Sequence, residues 1–240
     1  MLKKGIRTIN KNGLHYLVDD AGRLLTFKPW LGDAFSFLYD FIMKHSIFPK
    51  KFGGDINRHY DILRKVMKEV HEKRVLELAS GSGSAVNFLP NDNRYTGTDI
   101  SPGLLRKALR NFKRAGFENS DFYVTGADEL PFGDRLFDVV ICILSLNFFD
   151  DVRKVFKEIQ RVAAEETIFI CSVPVPERNR RKRKIRGTLY SERELENICQ
   201  EIGFRFESVL VENGALLYFK AAKKGIREPG APDIHGLAAG

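Results

Sequence analysis

A glycine-rich stretch carries the clearest chemical signal in this chain. It reads ELASGSGS over residues 77–84 and follows a short apolar run that begins at Arg74. Glycine has no Cβ atom, so a turn of this composition lets the main chain approach a ligand closely. In an open α/β sheet, ligands bind at the carboxyl ends of the strands. We therefore expect a ligand at this turn, with a tight ligand-free turn as the alternative.

A second candidate contact is Asp99, which lies near the end of the run YTGTDI. An acidic residue at the end of the second strand is placed to accept hydrogen bonds from ribose hydroxyls. The dinucleotide fingerprint is incomplete, because Val86 stands where its third glycine would be. Glu77 would also repel a pyrophosphate. The pattern disfavours a nicotinamide-dependent oxidoreductase and favours a cationic or zwitterionic adenosyl ligand.

Strands and helices alternate from Arg74 onward. The predicted strands read RVLELA, YTGTDI, FYVTG, FDVVICIL and TIFICSV, and Asn213-Gly214 predicts a hairpin between FRFESVLVE and ALLYFKAA. Helices are expected after Ser101, across 151–162, and after a capping box of Ser191 and Glu194. This alternation indicates an α/β fold with a doubly wound, mostly parallel sheet and an antiparallel hairpin at one edge.

Residues 1–72 are expected to form an N-terminal extension, before a domain over 73–222 and a disordered tail over 223–240. Within the extension, 14–27 predicts two short strands around a DDAG turn. An aromatic-rich helix is predicted over 33–45 with Asp33 as its N-cap, followed by breaks at Pro49 and Gly53-Gly54. A second helix, 55–71, begins at Asp55.

Residues 74–220 resemble the class I S-adenosylmethionine-dependent methyltransferases. VLELASGSG is similar to the first motif of that family and YTGTDIS to the second, while ADELPFGDRLFDVVICILSLNFF is similar to the third and fourth. The resemblance implies a seven-stranded Rossmann-like sheet and, from residues 1–72, a helical lid. It is closest to the methyltransferase type 11 and quinone-biosynthesis group.

The resemblance implies S-adenosylmethionine as cofactor and S-adenosylhomocysteine as product. It places Phe148 and Phe149 near the transferable methyl group and implies no metal. The cofactor contacts that it implies are Glu77, Ala79, Ser80, Gly81, Gly83, Asp99, Ile100, Ala127, Asp128 and Cys142.

Three positions depart from the family pattern. Ala79 replaces a glycine, which we expect to be tolerable only if its φ is negative. Gly126 replaces the acid that contacts adenine, so Asp128 or the main chain at Ala127 is expected to take its place. A turn at Ala164-Glu165-Glu166 is expected where the family has Lys-Pro-Gly-Gly.

The expected reaction is an in-line methyl transfer to a small-molecule O or C acceptor that is apolar or aromatic. Such a site mainly aligns the reactants and excludes water, so no catalytic constellation is required. Candidate acceptor residues are Asn147, Tyr39, His59 and Tyr60. The alternatives are packing roles for both tyrosines and a surface position for His59. An aromatic cluster is expected to form core or an apolar acceptor pocket: Trp30, Phe35, Phe37, Phe41 and Phe48.

The charge of the chain is concentrated in one segment. The net charge is +8, and residues 178–186, RNRRKRKIR, hold seven cations without an acid. This segment predicts a solvated loop, or a contact with phosphate backbones, an anionic lipid surface or an acidic substrate. An RNA methyltransferase that docks through 178–186 and a non-catalytic adenosyl-ligand-binding protein are therefore alternatives. The absence of an Asn-Pro-Pro-Tyr motif after the fourth strand weakens the hypothesis of an amino-directed nucleic-acid methyltransferase.

Hydropathy and cysteine content suggest a cytoplasmic location. No run approaches the roughly 18 apolar residues that a membrane span needs, and the first residues lack an apolar signal region. The single cysteines Cys142, Cys171 and Cys199 are expected to be buried thiols. The sequence leaves the oligomeric state open.

Overall fold

A computed structural model describes residues 2–27, 39–179, 182–211 and 214–223, with the side chains of 39 and 40 left out. Its centre is a nine-stranded sheet in the order β1-β2-β5-β4-β3-β6-β7-β9-β8. The strands are β1 (Arg7–Lys11), β2 (Leu14–Val18), β3 (Arg74–Glu77), β4 (Arg94–Asp99), β5 (Ser120–Val124), β6 (Phe137–Ile143), β7 (Ala163–Pro174), β8 (Phe204–Val209) and β9 (Leu216–Lys223).

Five α-helices accompany the sheet within these described ranges. They are α1 (Tyr39–Ile42), α2 (Ile56–Met67), α3 (Pro102–Arg114), α4 (Val152–Val162) and α5 (Glu192–Glu201). Helix α1 continues as a π-helix, Met43–Phe52, and short 3-10 turns lie at Ser84–Asn87 and Leu146–Phe148. No helix of the described ranges combines the length and hydrophobicity that a bilayer span requires.

The doubly wound prediction is confirmed. Strands β2, β5, β4, β3, β6 and β7 pair in parallel, and β9 lies antiparallel between β7 and β8. Buried apolar side chains form one cluster on each face of the sheet. The fold therefore brings the carboxyl ends of β3, β4, β5 and β6 to one edge, which is where ligands bind in this architecture.

The predicted number of seven strands is wrong, because an N-terminal hairpin adds two. Strands β1 and β2 flank Asn12-Gly13, and β2 pairs in parallel with β5. Asn12 and Gly13 have φ angles of 54° and 81°, as a tight hairpin turn requires. The expected DDAG turn closes only a single bridge between Val18 and Leu24. The domain boundary at residue 72 stays a prediction.

Two further local predictions are corrected. Pro49 does not end the helical segment, which continues to Phe52 and stops at Gly53, a residue in the left-handed region with a φ of 71°. Ala164-Glu165-Glu166 is not a turn but part of β7, which begins at Ala163. Residues 28–38, which include Asp33 and most of the predicted aromatic helix, lie outside the described residues, as does 224–240.

The helix starts follow the predicted caps. Asp55 Oδ1 accepts a hydrogen bond from the Asn57 N–H at 2.8 Å at the start of α2. Ser101 accepts from the Leu104 N–H at 3.2 Å and opens α3. Ser191 and Glu194 form the predicted capping box of α5. These caps fix α2 and α3 on either side of the glycine-rich turn.

Candidate functional site

The glycine-rich turn follows β3 and winds through the left-handed region. Ala79, Gly81 and Gly83 have φ angles of 50°, 54° and 79°. The Ser80 N–H donates to Thr98 O at 2.8 Å, which ties the turn to β4. The expectation of a negative φ at Ala79 is wrong, since the main chain there adopts the glycine-like conformation despite its Cβ atom. That conformation costs an L-residue about 1–2 kcal/mol.

Gly81 and Gly83 serve different purposes. A Cβ built on Gly81 would meet nothing within 4 Å, so the space above this residue is open to a ligand. A Cβ on Gly83 would lie 2.8 Å from Ala108 Cα and 3.1 Å from the Phe112 ring. The absence of a side chain at Gly83 thus allows α3 to pack against the turn, and the predicted contact of Gly83 with the cofactor stays a prediction.

Asp99 braces the turn from the end of β4. Its Oδ2 accepts a hydrogen bond from the Gly81 N–H at 2.9 Å, and its Oδ1 accepts from the Ser101 N–H at 2.8 Å. The side chain is buried. Each carboxylate oxygen has a second lone pair. Asp99 therefore holds the turn in place, and its predicted contact with the ribose hydroxyls stays a prediction.

Glu77 is a buried carboxyl group at the base of the turn. The Tyr95 hydroxyl donates a hydrogen bond to its Oε2. Burial raises the pKa of Glu77 to about 8; the Tyr95 hydrogen bond lowers this pKa and the charge of Asp99 raises it further. At neutral pH the isolated site therefore favours a protonated Glu77, and a cationic group nearby would favour its ionisation.

A small cavity of about 50 Å³ joins the turn to the N-terminal helices. Two of the predicted acceptor residues, His59 and Tyr60 of α2, line it, and their role toward an acceptor stays a prediction. Met43, Ile143 and Leu144 also line it, although the sequence analysis did not single them out. The complete lining is Met43, Phe48, His59, Tyr60, Glu77, Ala79, Ser80, Gly81, Ser84, Ile143 and Leu144.

His59 is buried, so the expected surface position is wrong. Its Nδ1 lies 2.8 Å from the Tyr218 hydroxyl of β9. Its ring also contacts Phe48 and Tyr60, with centroids 5.0 and 5.6 Å away. Burial lowers the pKa of His59 to about 3, so the imidazole is neutral at physiological pH. Tyr218 was missed, and its place in a strand gave no sign of this partner.

The predicted adenine-side residues lie at the ends of β4 and β5. Ile100 exposes 37% of its surface, whereas Ala127 is buried. Asp128 lies beside them and forms an ion pair with Lys154 at 3.5 Å. Cys142 does not fit its predicted role as a cofactor contact. Its side chain is fully buried in the core, with Sγ 3.3 Å from Ser145 Oγ.

Asn147 anchors a loop and lies outside the lining of the cavity. Its Nδ2 donates to Arg186 O at 2.7 Å, and its own carbonyl oxygen accepts from the Thr188 N–H at 2.8 Å. Its Oδ1 is buried without a hydrogen-bond partner among the described residues. The expected orientation of Asn147 into the cleft is therefore replaced by a contact that fixes residues 186–188.

The predicted aromatic residues separate into different environments. Phe48 is buried against the cavity, Phe41 is 63% exposed and Phe148 is 53% exposed. Phe149 packs against the core. Trp30, Phe35 and Phe37 lie outside the described residues, and so does the side chain of Tyr39.

Comparison with known proteins agrees with this geometry. Residues 76–171 match a family model for a methyltransferase domain. The Uncharacterized methyltransferase YcgJ of Bacillus subtilis is 33% identical over 100 residues, which cover 41% of this chain and 40% of that protein. The demethylmenaquinone methyltransferase of Thermotoga maritima is 29% identical over 143 residues, or 58% of each chain. The chain thus spans about half the length of these relatives.

One solved structure shares the fold of this chain across almost the whole length of the solved protein. The SAM-dependent methyltransferase of Aquifex aeolicus aligns with a TM-score of 0.57 at 17% identity, covering 78% of this chain and 97% of that chain. The sequence match contains the glycine-rich turn, Asp99 and strand β6. Residues 76–171 are therefore similar to the methyltransferase-domain family, and the chain shares the fold of a SAM-dependent methyltransferase.

Proposed function

We propose that this protein transfers a methyl group from S-adenosylmethionine to a small-molecule O or C acceptor that is apolar or aromatic. One observation carries the proposal. A single cavity joins the turn residues Glu77, Ala79 and Gly81 to an apolar cover formed by Met43 and Phe48. Methyl transfer requires a binding site for the cofactor and an adjacent surface for the acceptor. In this proposal the turn residues form the first and the apolar cover forms the second.

The described residues fit the cofactor. Open space above Gly81 admits close approach of a ligand to the main chain. In this proposal Glu77 receives the ammonium group of the methionine part, and Asp99 receives the ribose hydroxyls. Ile100 and Ala127 offer apolar surface to the adenine ring. When bound, the cofactor supplies an electrophilic methyl group on a sulfonium centre.

The cavity also suggests the class of acceptor. His59 is neutral because burial lowers its pKa, and Tyr60, Phe48 and Met43 present aromatic or aliphatic surface. Among the described residues of this lining, Glu77 is the one with a carboxyl group, and it lies beside the glycine-rich turn. An uncharged apolar or aromatic molecule would avoid the cost of burying an unpaired charge here. The name of the Thermotoga maritima relative, a demethylmenaquinone methyltransferase, supports the same class.

The chain's contribution to the reaction would be alignment and exclusion of water. A cavity of about 50 Å³ is far below the roughly 300–1,000 Å³ of ordinary ligand sites. The Met43–Phe52 segment covers the turn through Met43 and Phe48. We therefore expect this segment to move outward when the ligands bind, and to return over them before transfer.

A transfer assay tests this function. Purified protein and methyl-labelled S-adenosylmethionine are incubated with cell extract, which is then separated into organic-soluble, small polar, protein and nuclease-sensitive pools. We expect label in the organic-soluble pool, and none with the Gly81→Val variant, whose side chain would fill the open space. Label confined to nuclease-sensitive material would overturn the small-molecule proposal. Cofactor binding without transfer in any pool would favour a non-catalytic adenosyl-binding protein.

A further inference from the structure

Three segments of the chain meet around the helical cover of the cavity. The Ala215 N–H donates to Phe52 O at 2.9 Å, which joins the start of β9 to the end of the π-helix. The Arg183 guanidinium lies against Gly53, where an added Cβ would be 2.1 Å from Nη1. These contacts bring together the two segments that carry six cations, here named the basic rim: Lys50, Lys51, Lys182, Arg183, Lys184 and Arg186.

The structure holds the basic rim in place by contacts other than ion pairs. Asn179 accepts from the Arg183 N–H at 3.0 Å and its side chain donates to Arg183 O at 2.8 Å, which ties Asn179 to Arg183. Asn147 fixes the following residues through Arg186 O. By contrast, Arg178 pairs with Glu192 and belongs to the interior of this region. Lys50, Lys182, Lys184 and Arg186 of the basic rim are exposed, whereas Lys51 and Arg183 are half-buried.

Large apolar side chains lie exposed beside the basic rim. Phe41 is 63% exposed and Ile42 is 39% exposed, at the start of the helical segment that ends with Lys50 and Lys51. Leu210 is 92% exposed and follows β8, next to the strand that contacts Phe52. Lysine and arginine beside exposed hydrophobic residues are typical of surfaces that lie on anionic membranes.

We propose that this surface docks the protein on an anionic lipid bilayer. The basic rim would face the phosphate headgroups, while Phe41, Ile42 and Leu210 enter the boundary of the acyl chains. A single-stranded nucleic acid fits less well, because its bases stack on aromatic rings and Phe41 alone of these three apolar residues has one. Binding to the bilayer does not require methyl transfer and can be measured separately from it.

The docking would also serve the proposed function. Met43, which lines the cavity, directly follows Ile42 in the chain. A bilayer in contact with Ile42 would therefore lie beside the segment that covers the cavity. An apolar acceptor dissolved in the membrane would then enter the site without crossing water. This consequence rests on the proposed function, whereas the docking itself does not.

Vesicle co-sedimentation of the purified full chain tests the docking. Vesicles of phosphatidylcholine alone are compared with vesicles that also contain phosphatidylglycerol. We expect binding to the anionic vesicles that weakens as salt is added. The double variant Lys50→Gln/Lys51→Gln should weaken binding by about 20- to 30-fold, since each cation near such a surface contributes roughly fivefold. Phe41→Ser and Leu210→Ser should each weaken it by about tenfold.

A matched control is available at the opposite edge of the sheet. Lys113→Gln/Arg114→Gln also removes two exposed cations from the last turn of a helix, and it should leave binding unchanged. Equal loss in this control, or no preference of the native chain for anionic vesicles, would overturn the proposal. Tight binding of an RNA oligonucleotide without vesicle binding would also overturn it. S-adenosylhomocysteine binding, measured on the same samples, reports separately on the proposed function.

Discussion

The Tyr95 hydroxyl donates a hydrogen bond to Glu77 Oε2 between neighbouring strands of the sheet, and both side chains are buried. This pair places an acid in the interior directly below the glycine-rich turn. Burial raises the pKa of Glu77 to about 8, from an ordinary value of 4.5. Between these values the folded protein binds more protons than the unfolded chain does. The contribution of Glu77 protonation to the free energy of unfolding is therefore complete below pH 4.5. It is lost as the pH rises towards 8.

We expect the free energy of unfolding to fall between pH 6.5 and 8, by on the order of 1 kcal/mol per pH unit. Below pH 6.5 the effect is opposed by His59, whose lowered pKa makes stability rise with pH. The measurement is urea unfolding at several pH values. Glu77→Gln retains a hydrogen-bonding group without a titratable proton, so its profile should lack this component. If the native protein and Glu77→Gln showed the same dependence of unfolding free energy on pH, the assignment of this effect to Glu77 would be contradicted.

Gly81 and Gly83 should respond differently to the same substitution. Gly81→Ala introduces a Cβ into open space and costs about 1 kcal/mol through its left-handed φ. Gly83→Ala adds a clash with the Ala108 main chain and should cost about 3 kcal/mol or more. Urea unfolding gives both values. Equal costs would show that α3 does not press on Gly83 as the geometry indicates.

Ala79→Gly should stabilise the protein. The φ of 50° at Ala79 strains an L-residue, and glycine removes the strain at the cost of a more flexible unfolded chain. We expect a net gain of up to about 1 kcal/mol in the free energy of unfolding. Ala85→Gly, in the 3-10 turn of the same loop, is the control and should destabilise. A loss of stability in Ala79→Gly would contradict the strained conformation.

Asp99→Ala should affect both folding and ligand binding. It removes the acceptor for the N–H groups of Gly81 and Ser101, and should cost about 1–3 kcal/mol of stability. Asp99→Asn keeps one acceptor oxygen and should cost less. Calorimetric titration with S-adenosylhomocysteine should show at least tenfold weaker binding for both variants, since each loses charge-assisted hydrogen bonds to the ribose. Native affinity in Asp99→Asn would argue against the ribose contact.

His59 and Tyr218 should behave as a coupled pair. Tyr218→Phe leaves the buried Nδ1 of His59 without its partner, which should cost about 1–2 kcal/mol. After His59→Phe, the further change Tyr218→Phe should cost less than it does alone. A double-mutant cycle on unfolding free energies measures this coupling, which we expect to be about 1 kcal/mol. Additive effects would show that the hydrogen bond does not contribute.

The sheet and the glycine-rich turn could be predicted because their signals are local. Alternating strands and helices indicate parallel pairing, and the capping residues mark where α2, α3 and α5 begin. The N-terminal hairpin was misplaced although Asn12-Gly13 is a strong turn signal. Strand β1 is mostly exposed, so it lacks the apolar alternation that would have marked it.

The burial of His59 was also within reach of the sequence. Ile56, Leu63 and Met67 are buried on one face of α2, and His59 lies three residues after Ile56 on that face. Its partner Tyr218 could not be found in this way, because it lies 159 positions later in the chain. The left-handed φ of Ala79 was likewise hidden, since it depends on how the turn meets β4. The partner of His59 and the φ angle of Ala79 both depend on contacts between residues that are distant in sequence.

The placement of the outer strands constrains how the protein folds during synthesis. Strand β2 can pair with β5 only after Phe122, the partner of Leu14, has left the ribosome. Strand β9 is inserted between β7 and β8, so that side of the sheet cannot close before β9 has been synthesised. Pairings of this range are slow to form because a long loop must be ordered first. The nascent chain therefore holds an unpaired hairpin until β5 has been synthesised and an incomplete sheet edge until β9 has been synthesised, and it is most vulnerable to aggregation during that period.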